Sequence, residues 1–273
     1  MEITIARIVV GFTVRRTNDR LVLLGCQMKA NYEFTTTRED VMNSTIRARV
    51  RSLELAATLL GSALVLAALA IIWAARISQG RDLYVSELGA KVEPTAGWFE
   101  AALLLIVAGG SLIAYVGRDI RSGLAVLGRW TPAISLWIGC GFFFVASQVP
   151  CTQGCPLPAG LTFSWQGLTH TSVAVLAFGC ACIAMLQCAF ARGHRSLASI
   201  SLFCGIGVAV IAGAGGILSL LRFQANFGSR LELVATTIAL GWLFLLGMML
   251  ARRVRRRVVS VPAQRLIPLE PVI

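Results

Sequence analysis

The chain has 273 residues, of which 56% are hydrophobic and 14% are charged, and its mean hydropathy is +0.75. So few charged groups cannot cover that much apolar surface in water, which excludes an ordinary soluble domain. The formal net charge of +12 would suit nucleic acid, but the basic residues lie in short clusters at the ends of apolar runs. We therefore predict a polytopic membrane protein, with membrane lipids and not nucleic acid as its partners.

The first 52 residues are predicted to be a cytoplasmic leader before the membrane domain. Residues 1–41 are mixed in composition and do not have the form of a secretory signal. The stretch MNSTIRARVR, which begins at Met42, has the form of a lead-in to a first span. One hypothesis is that the native product starts near Met42, and a loosely ordered cytoplasmic extension is the equal alternative.

Six apolar runs are long enough to cross the hydrocarbon core of a bilayer, for which a helix needs about 20 residues. Unpaired backbone cannot face lipid, and alternation in these runs is too weak for barrel strands. The predicted fold is therefore an all-α bundle of six transmembrane helices over residues 53–250, followed by a basic tail at 251–273. The runs are Leu53–Ala75, Gly97–Gly117, Thr131–Val149, Leu168–Phe190, Leu197–Leu221 and Leu231–Leu250.

The basic residues predict how these spans are oriented. Twenty of the 25 lysines and arginines lie before the first span, in the second and fourth connections, or in the tail. By the positive-inside rule, both termini are predicted to be cytoplasmic. Trp73, Trp98 and Trp165 then fall near the outer boundary, where indole rings prefer to lie. The cluster from Arg252 to Arg257 is predicted to contact anionic headgroups of the cytoplasmic leaflet.

Two further patterns predict local contacts. At the inner ends of the spans, Glu54 with Arg51 and Arg118 with Asp119 are interpreted as interfacial ion pairs. A stripe of small residues in the fifth span predicts the close approach of another helix. Its members recur every four residues: Ser201, Gly205, Ala209 and Gly213.

The connection between the third and fourth spans carries the two closest cysteines, Cys151 and Cys155. The predicted orientation places them outside the cytoplasm, where disulfides persist. A glycine and two prolines let this connection turn tightly, so we favour a Cys151–Cys155 disulfide. The alternative is a zinc site made by both cysteines with His170 and Glu87. Because the spacing matches no standard zinc pattern, we predict no metal and no cofactor.

His170 lies about one turn inside the fourth span, at its predicted outer end. Ionisable groups at membrane depth usually face the bundle interior with a partner, which indicates a binding site. The alternative is an interfacial histidine, bonded to a loop carbonyl or carboxylate, that fixes the fourth helix against the first outer loop. The residues predicted to form an outer polar pocket are His170, Glu87, Glu100, Gln148 and Arg222, and Ser86 lies beside Glu87.

Three ordered motifs of this chain resemble a known family. They are Tyr84-Val-Ser-Glu-Leu-Gly-Ala with Pro94-Thr-Ala, then Cys151-Thr-Gln-Gly-Cys-Pro-Leu-Pro, then His170-Thr-Ser-Val-Ala-Val-Leu-Ala-Phe. Together they resemble the actinobacterial branch of the uncharacterised membrane family called domain of unknown function 998. The resemblance covers roughly Arg51 to Arg257 and implies a six-span bacterial inner-membrane protein. It implies no activity, substrate or catalytic residue. Members often carry an acidic residue shortly before the histidine, whereas this chain has Gln166 and Gly167 there.

Three functions are compatible with the sequence. The favoured one is a non-enzymatic protein that binds a lipid or small ligand in an outer polar pocket, or that serves as a scaffold for another envelope protein. The second is an intramembrane lipid hydrolase that uses His170 with Glu87 or Glu100, and with Ser86 nearby. A hydrolase would be expected to show a second histidine or a denser acidic set. The third is a transporter, for which we find neither a charged residue near mid-depth nor a broken helix.

Overall fold

The computed structural model describes residues 20–123, 130–152, 163–193, 195–220 and 225–259. In this part of the chain two short 3-10 turns, Ser86–Gly89 and Gly117–Asp119, flank the second of six α-helices. The helices are α1 Arg20–Gln79, α2 Ala96–Val116, α3 Pro132–Gln148, α4 Trp165–Ala189, α5 Arg195–Leu220 and α6 Ala225–Val259.

The chain divides into two units, Met1–Val50 and Arg51–Ile273. The described residues of the first unit, 20–50, are helical. The second unit contains helices α2 to α6 and the part of α1 from Arg51 onward.

Five helical segments are long and apolar enough to cross a bilayer, with mean hydropathies of 2.0 to 2.5 over their most apolar windows. They are Thr45–Gln79, Ala96–Asp119, Trp165–Ala189, Arg195–Leu218 and Asn226–Arg256. The sixth helix, α3, is apolar but has only 17 residues. These helices confirm the predicted all-α polytopic membrane fold.

Local sequence explains why α3 is short. Its first residue is Pro132, whose fixed φ suits the first helical position, and the Thr131 hydroxyl accepts a hydrogen bond from the Ile134 N–H at 3.4 Å. The helix ends at Gln148, two residues before Pro150, which cannot continue it. At a rise of about 1.5 Å per residue, α3 is roughly 26 Å long and spans less of a bilayer than its neighbours.

Two glycines in connections that follow long helices have positive φ. Gly80 has φ +63° and follows α1, and Gly193 has φ +76° and lies between α4 and α5. A side chain at either position would be strained in this left-handed conformation. The last helix, α6, continues to Val259. The arginines from Arg252 to Arg257, which are predicted to contact headgroups, therefore lie on the last turns of this helix.

The first two helices meet through glycines. A Cβ atom added to Gly61 of α1 would lie 2.8 Å from the carbonyl oxygen of Gly109 in α2, and one added to Gly109 would lie 2.7 Å from that of Gly61. The backbones of α1 and α2 therefore touch, as small residues allow in membranes. Gly247 of α6 lies against Ser62, so α6 joins the same contact.

The close contact of α1 and α2 gives Arg118 a partner that the sequence did not predict. Glu54 and Arg118 lie roughly two turns from the glycine contact, and the Arg118 guanidinium binds the Glu54 carboxylate at 3.2 Å. Arg118 also lies over the Tyr115 ring, 4.4 Å from its centre. Arg118 was predicted to pair with its neighbour Asp119. In the structure it pairs with Glu54 instead, because the packing of α1 on α2 brings this carboxylate to it.

The predicted stripe in α5 contacts two different helices. A Cβ atom added to Gly205 would lie 3.3 Å from the Met185 Cβ atom of α4, and the Ser201 hydroxyl accepts a hydrogen bond from the Trp242 indole of α6 at 2.9 Å. Gly213 faces open space. The stripe therefore packs over part of its length only.

Candidate functional site

We refer to residues 80–95, between α1 and α2, as loop 1, and to the end of the bundle at which it lies as the loop 1 end. The Ser86–Gly89 turn folds locally because the Glu87 carboxylate accepts a hydrogen bond from the Tyr84 N–H at 2.8 Å. The Thr95 hydroxyl donates to the Leu88 carbonyl at 3.0 Å. Val85 and Leu88 are buried in the core. Loop 1 is thus a folded part of the bundle.

The first turns of α6 hold loop 1 in place. The Glu232 carboxylate accepts a hydrogen bond from the Val85 N–H at 2.9 Å, and Ser86 follows Val85 directly in loop 1. A Cβ atom at Gly228 would lie 2.9 Å from the Tyr84 hydroxyl oxygen, so only glycine fits there without displacing the ring. These contacts place Ser86 and Glu232 side by side.

Asp82 connects loop 1 to two helices at once. One carboxylate oxygen binds Arg76 of α1 at 2.6 Å, and the other binds Arg230 of α6 at 2.9 Å. Arg76 is buried and also donates to the Arg81 carbonyl. The hydrogen bond from Arg230 and the charges of both arginines lower the pKa of Asp82 against the opposing effect of desolvation. The carboxylate is therefore held in its ionised form.

We expect Asp82→Asn to lower the melting temperature at neutral pH and to have less effect in acid. A carboxylate whose pKa is lowered on folding stabilises the fold above its unfolded pKa, near 3.8, and the stabilisation is lost as the pH falls through the lower folded value. The difference in melting temperature between wild type and variant should be constant from pH 7 to about 5 and narrow below about 4. Thermal unfolding in detergent across this range measures it.

The matched control for this experiment is Asp119→Asn, because Asp119 is an exposed carboxylate after α2, at the opposite end of the bundle. A difference between wild type and Asp82→Asn that does not change with pH would contradict a stabilising role for the ionised Asp82 carboxylate.

His170 joins the start of α4 to the end of α3. The side chain is 2% exposed, and its Nδ1 atom lies 2.7 Å from the carbonyl oxygen of Val149. Because a carbonyl only accepts, Nδ1 donates in this contact. Of the two interpretations of His170, this contact matches the one in which it bonds a carbonyl, although the partner is α3 and not the first loop.

Two cavities meet at the His170 side chain. The polar cavity, of about 290 Å³, lies between loop 1, the start of α2 and the end of α3. The apolar cavity, of about 80 Å³, runs between the helices beneath loop 1. Four residues line both cavities and so form the wall between them: Phe99, Leu103, Ala146 and His170.

The structure brings most of the predicted pocket residues together. Glu100, Gln148 and His170 line the polar cavity with Lys91, and Ser86 lines the apolar cavity. Glu87 is not among the residues lining either cavity, because its carboxylate is bound to the backbone of loop 1. The predicted residues that lie outside the described part of the chain are Arg222 and Cys155.

The predicted disulfide and the alternative zinc site both include Cys155. Because this residue lies outside the described part of the chain, the structure describes neither of them. Cys151 is fully buried. Among the residues that the structure describes, no three His, Cys, Asp or Glu side chains lie close enough together to hold a metal ion.

Glu232, which lines the apolar cavity, is not among the pocket residues predicted from the sequence. It is partly buried in the second turn of α6 and is followed by the apolar run of that helix. A carboxylate at the start of an apolar span is costly without a partner. Its position in the sequence could therefore have identified Glu232 as a candidate residue. Its partners are backbone groups of loop 1, which have no signature in the sequence.

The helices, the folded loop 1 and the paired cavities define an all-α polytopic membrane protein with an internal site at one end of its bundle. The chain belongs to the family described as Protein of unknown function (DUF998), whose family model matches residues 55–249. This match confirms the family that the three ordered motifs predicted. No curated protein and no solved structure matches the chain.

Proposed function

We propose that the protein binds a lipid or another amphiphilic small molecule, and that it does so without catalysing a reaction. The ligand occupies both cavities: polar groups lie in the polar cavity, beside Lys91, Glu100 and Gln148, and the mainly apolar part lies in the apolar cavity. The observation that carries this proposal is the shared wall: one polar and one apolar cavity meet at Phe99, Leu103, Ala146 and His170. Ligand sites of this kind are mostly apolar, with a few placed polar groups.

The sizes of the cavities support binding. A cavity needs a volume of about 10–15 Å³ to hold one water molecule. The polar cavity has about 290 Å³, so it has room for a headgroup of several heavy atoms. The apolar cavity is smaller, at about 80 Å³, and its lining includes Phe143, Phe178 and Trp242. It therefore suits a short hydrocarbon or aromatic segment better than water.

The contacts of His170 favour binding over hydrolysis. A general base needs a ring nitrogen directed at the substrate, in hydrogen-bond reach of the proton that it removes. In the described structure the Nδ1 atom of His170 donates to the Val149 carbonyl just after α3, so this nitrogen is not available as a base. Glu87, the proposed acid, is bound to the backbone of loop 1. We therefore assign His170 to the wall of the site.

The wider setting of the protein is part of the proposal. Twenty of the 25 basic residues lie on one side of the predicted topology, which supports a bacterial inner-membrane protein with both termini in the cytoplasm and the loop 1 end outside. In this orientation the arginines at the end of α6 contact anionic headgroups, and Cys151 forms a disulfide with Cys155. The three ordered motifs support the actinobacterial branch of the family.

The proposal is tested by filling the apolar cavity from α4. Ala174 lines the cavity, whereas its neighbour Val175 is 65% exposed on the outer face of the same helix. The wild type, Ala174→Phe and the matched control Val175→Phe are purified in mild detergent, and bound small molecules are extracted and measured by mass spectrometry. We expect a bound amphiphile in wild type and control, and a loss of most of it in Ala174→Phe.

The three proteins must first show the same elution volume and similar melting temperatures, so that a lost ligand reflects the cavity and not unfolding. Equal amounts of bound amphiphile in all three proteins would refute the cavity as the binding site. A wild type without any bound amphiphile, even after incubation with an extract of bacterial membrane lipids, would refute the proposed function.

A further inference from the structure

Among the residues that the structure describes, the apolar cavity is lined by a single carboxyl group. Its charged lining residue is Glu232, and no lysine or arginine is among the described residues that line it. The other polar groups on its wall are Ser86, His170 and Thr236. A ligand that enters this cavity therefore meets a carboxylate without a cationic partner from the protein.

The nearby guanidinium groups are occupied by other carboxylates. Arg76 and Arg230 both bind Asp82, at 2.6 and 2.9 Å. Arg81 binds both oxygens of Glu93, at 2.7 and 2.6 Å. Glu232 is instead bound by a neutral donor, the Val85 N–H. A neutral donor leaves the net charge of a carboxylate in place, and its two oxygens can accept further hydrogen bonds.

The rest of the wall also favours a cation. Aromatic rings from four helices line the cavity: Phe99 of α2, Phe143 of α3, Phe178 of α4 and Trp242 of α6. The Phe143 and Phe178 rings meet edge to face, with centres 6.0 Å apart. The faces of aromatic rings attract ammonium groups, most strongly where water is excluded. Carboxylate and rings together form a common arrangement for recognising an apolar cation.

We propose that the apolar cavity selects a hydrophobic amine in its protonated form, whose ammonium group pairs with Glu232 and contacts the aromatic rings. This inference rests on the proposed function, since it names the class of ligand that the same site binds. The competing role for Glu232 is purely structural, as the residue that holds loop 1 on α6. A structural role alone predicts no preference for charge, so the two roles differ in ligand selectivity.

The test uses three ligands of one shape: 4-phenylbutylamine, which is cationic at pH 7, the neutral 4-phenylbutanol and the anionic 4-phenylbutyrate. Binding to the full chain in nanodiscs of phosphatidylcholine is measured by calorimetry, with empty nanodiscs subtracted. In wild type we expect the amine to bind at least about 10-fold more tightly than the alcohol, and the acid to bind most weakly. In Glu232→Gln the amine and the alcohol should bind with equal affinity.

The matched control is Glu87→Gln, because Glu87 is a carboxylate of the same region that lines neither cavity. It should keep the preference for the amine. If Glu232→Gln fails to fold, the comparison of amine and alcohol in wild type still decides, since equal affinities there overturn the inference.

The outcomes separate this inference from the proposed function. An alcohol that binds as tightly as the amine, or a preference that survives in Glu232→Gln, overturns the selection of amines and leaves amphiphile binding intact. Failure of all three ligands to bind overturns the inference, and the Ala174→Phe experiment then decides independently whether the proposed function also fails.

Discussion

Replacing Gly61 with leucine is expected to break the contact between α1 and α2 and to lower the free energy of unfolding by about 3 kcal/mol. A Cβ atom at this position already lies 2.8 Å from the Gly109 carbonyl oxygen, and that oxygen belongs to backbone, which cannot rotate away as a side chain would. The two helices must separate to admit the leucine, and the separation also pulls Glu54 away from Arg118.

The control for this variant is Gly141→Leu. Gly141 lies in α3, where a Cβ atom meets no other atom within 4 Å, so leucine there should be tolerated and should add helix propensity. Thermal or denaturant unfolding of the purified proteins in the same detergent compares them. Similar stabilities for Gly61→Leu and Gly141→Leu would mean that α1 and α2 do not pack through Gly61.

The helices were predictable because length and apolarity alone define a membrane span. The six runs predicted from sequence overlap α1 to α6, and the third run, Thr131–Val149, exceeds α3 by one residue at each end. A span has no other local alternative in lipid, since its backbone must satisfy its own hydrogen bonds. The contact between Gly61 and Gly109 was not predictable in this way, because α2 carries three glycines and only the packing decides which of them meets Gly61.

The site was predictable in part, for a related reason. Polar residues at one end of several spans must face each other or water, and this placed Glu100, Gln148 and His170 in one region. The wall that separates the two cavities consists mainly of apolar side chains, which carry no signal of function. The partner of His170 was equally hidden, because a backbone carbonyl such as that of Val149 exists at every residue.

Loop 1 ties these elements into one site. Ser86 lines the apolar cavity and Lys91 lines the polar cavity. Asp82 holds the loop that carries these two residues, through ion pairs with Arg76 of α1 and Arg230 of α6. A change that loosens Asp82 should therefore affect binding as well as stability. The motif that includes Tyr84 to Ala90 is one of the three that identified the family, and its residues form the turn over the apolar cavity.

Replacing Trp242 with alanine is expected to lower the free energy of unfolding by about 3 kcal/mol and to enlarge the apolar cavity. Trp242 is 1% exposed, lines the cavity and donates its indole N–H to the Ser201 hydroxyl of α5 at 2.9 Å. Because unfolded helices in detergent remain in apolar surroundings, the loss comes mainly from packing contacts and less from transfer to water. The hydrogen bond contributes about 1 kcal/mol of it.

Two controls separate these contributions. Trp242→Phe removes the hydrogen bond but keeps most of the ring, so it should lose only about 1 kcal/mol. Trp98→Ala removes an indole that is 52% exposed near the start of α2, and should change stability little. Because the cavity of Trp242→Ala is larger, that variant should also bind bulkier apolar ligands than wild type does. If Trp242→Ala is as stable as Trp98→Ala, then α5 and α6 do not pack around this indole, and the aromatic wall of the proposed amine site is not rigid.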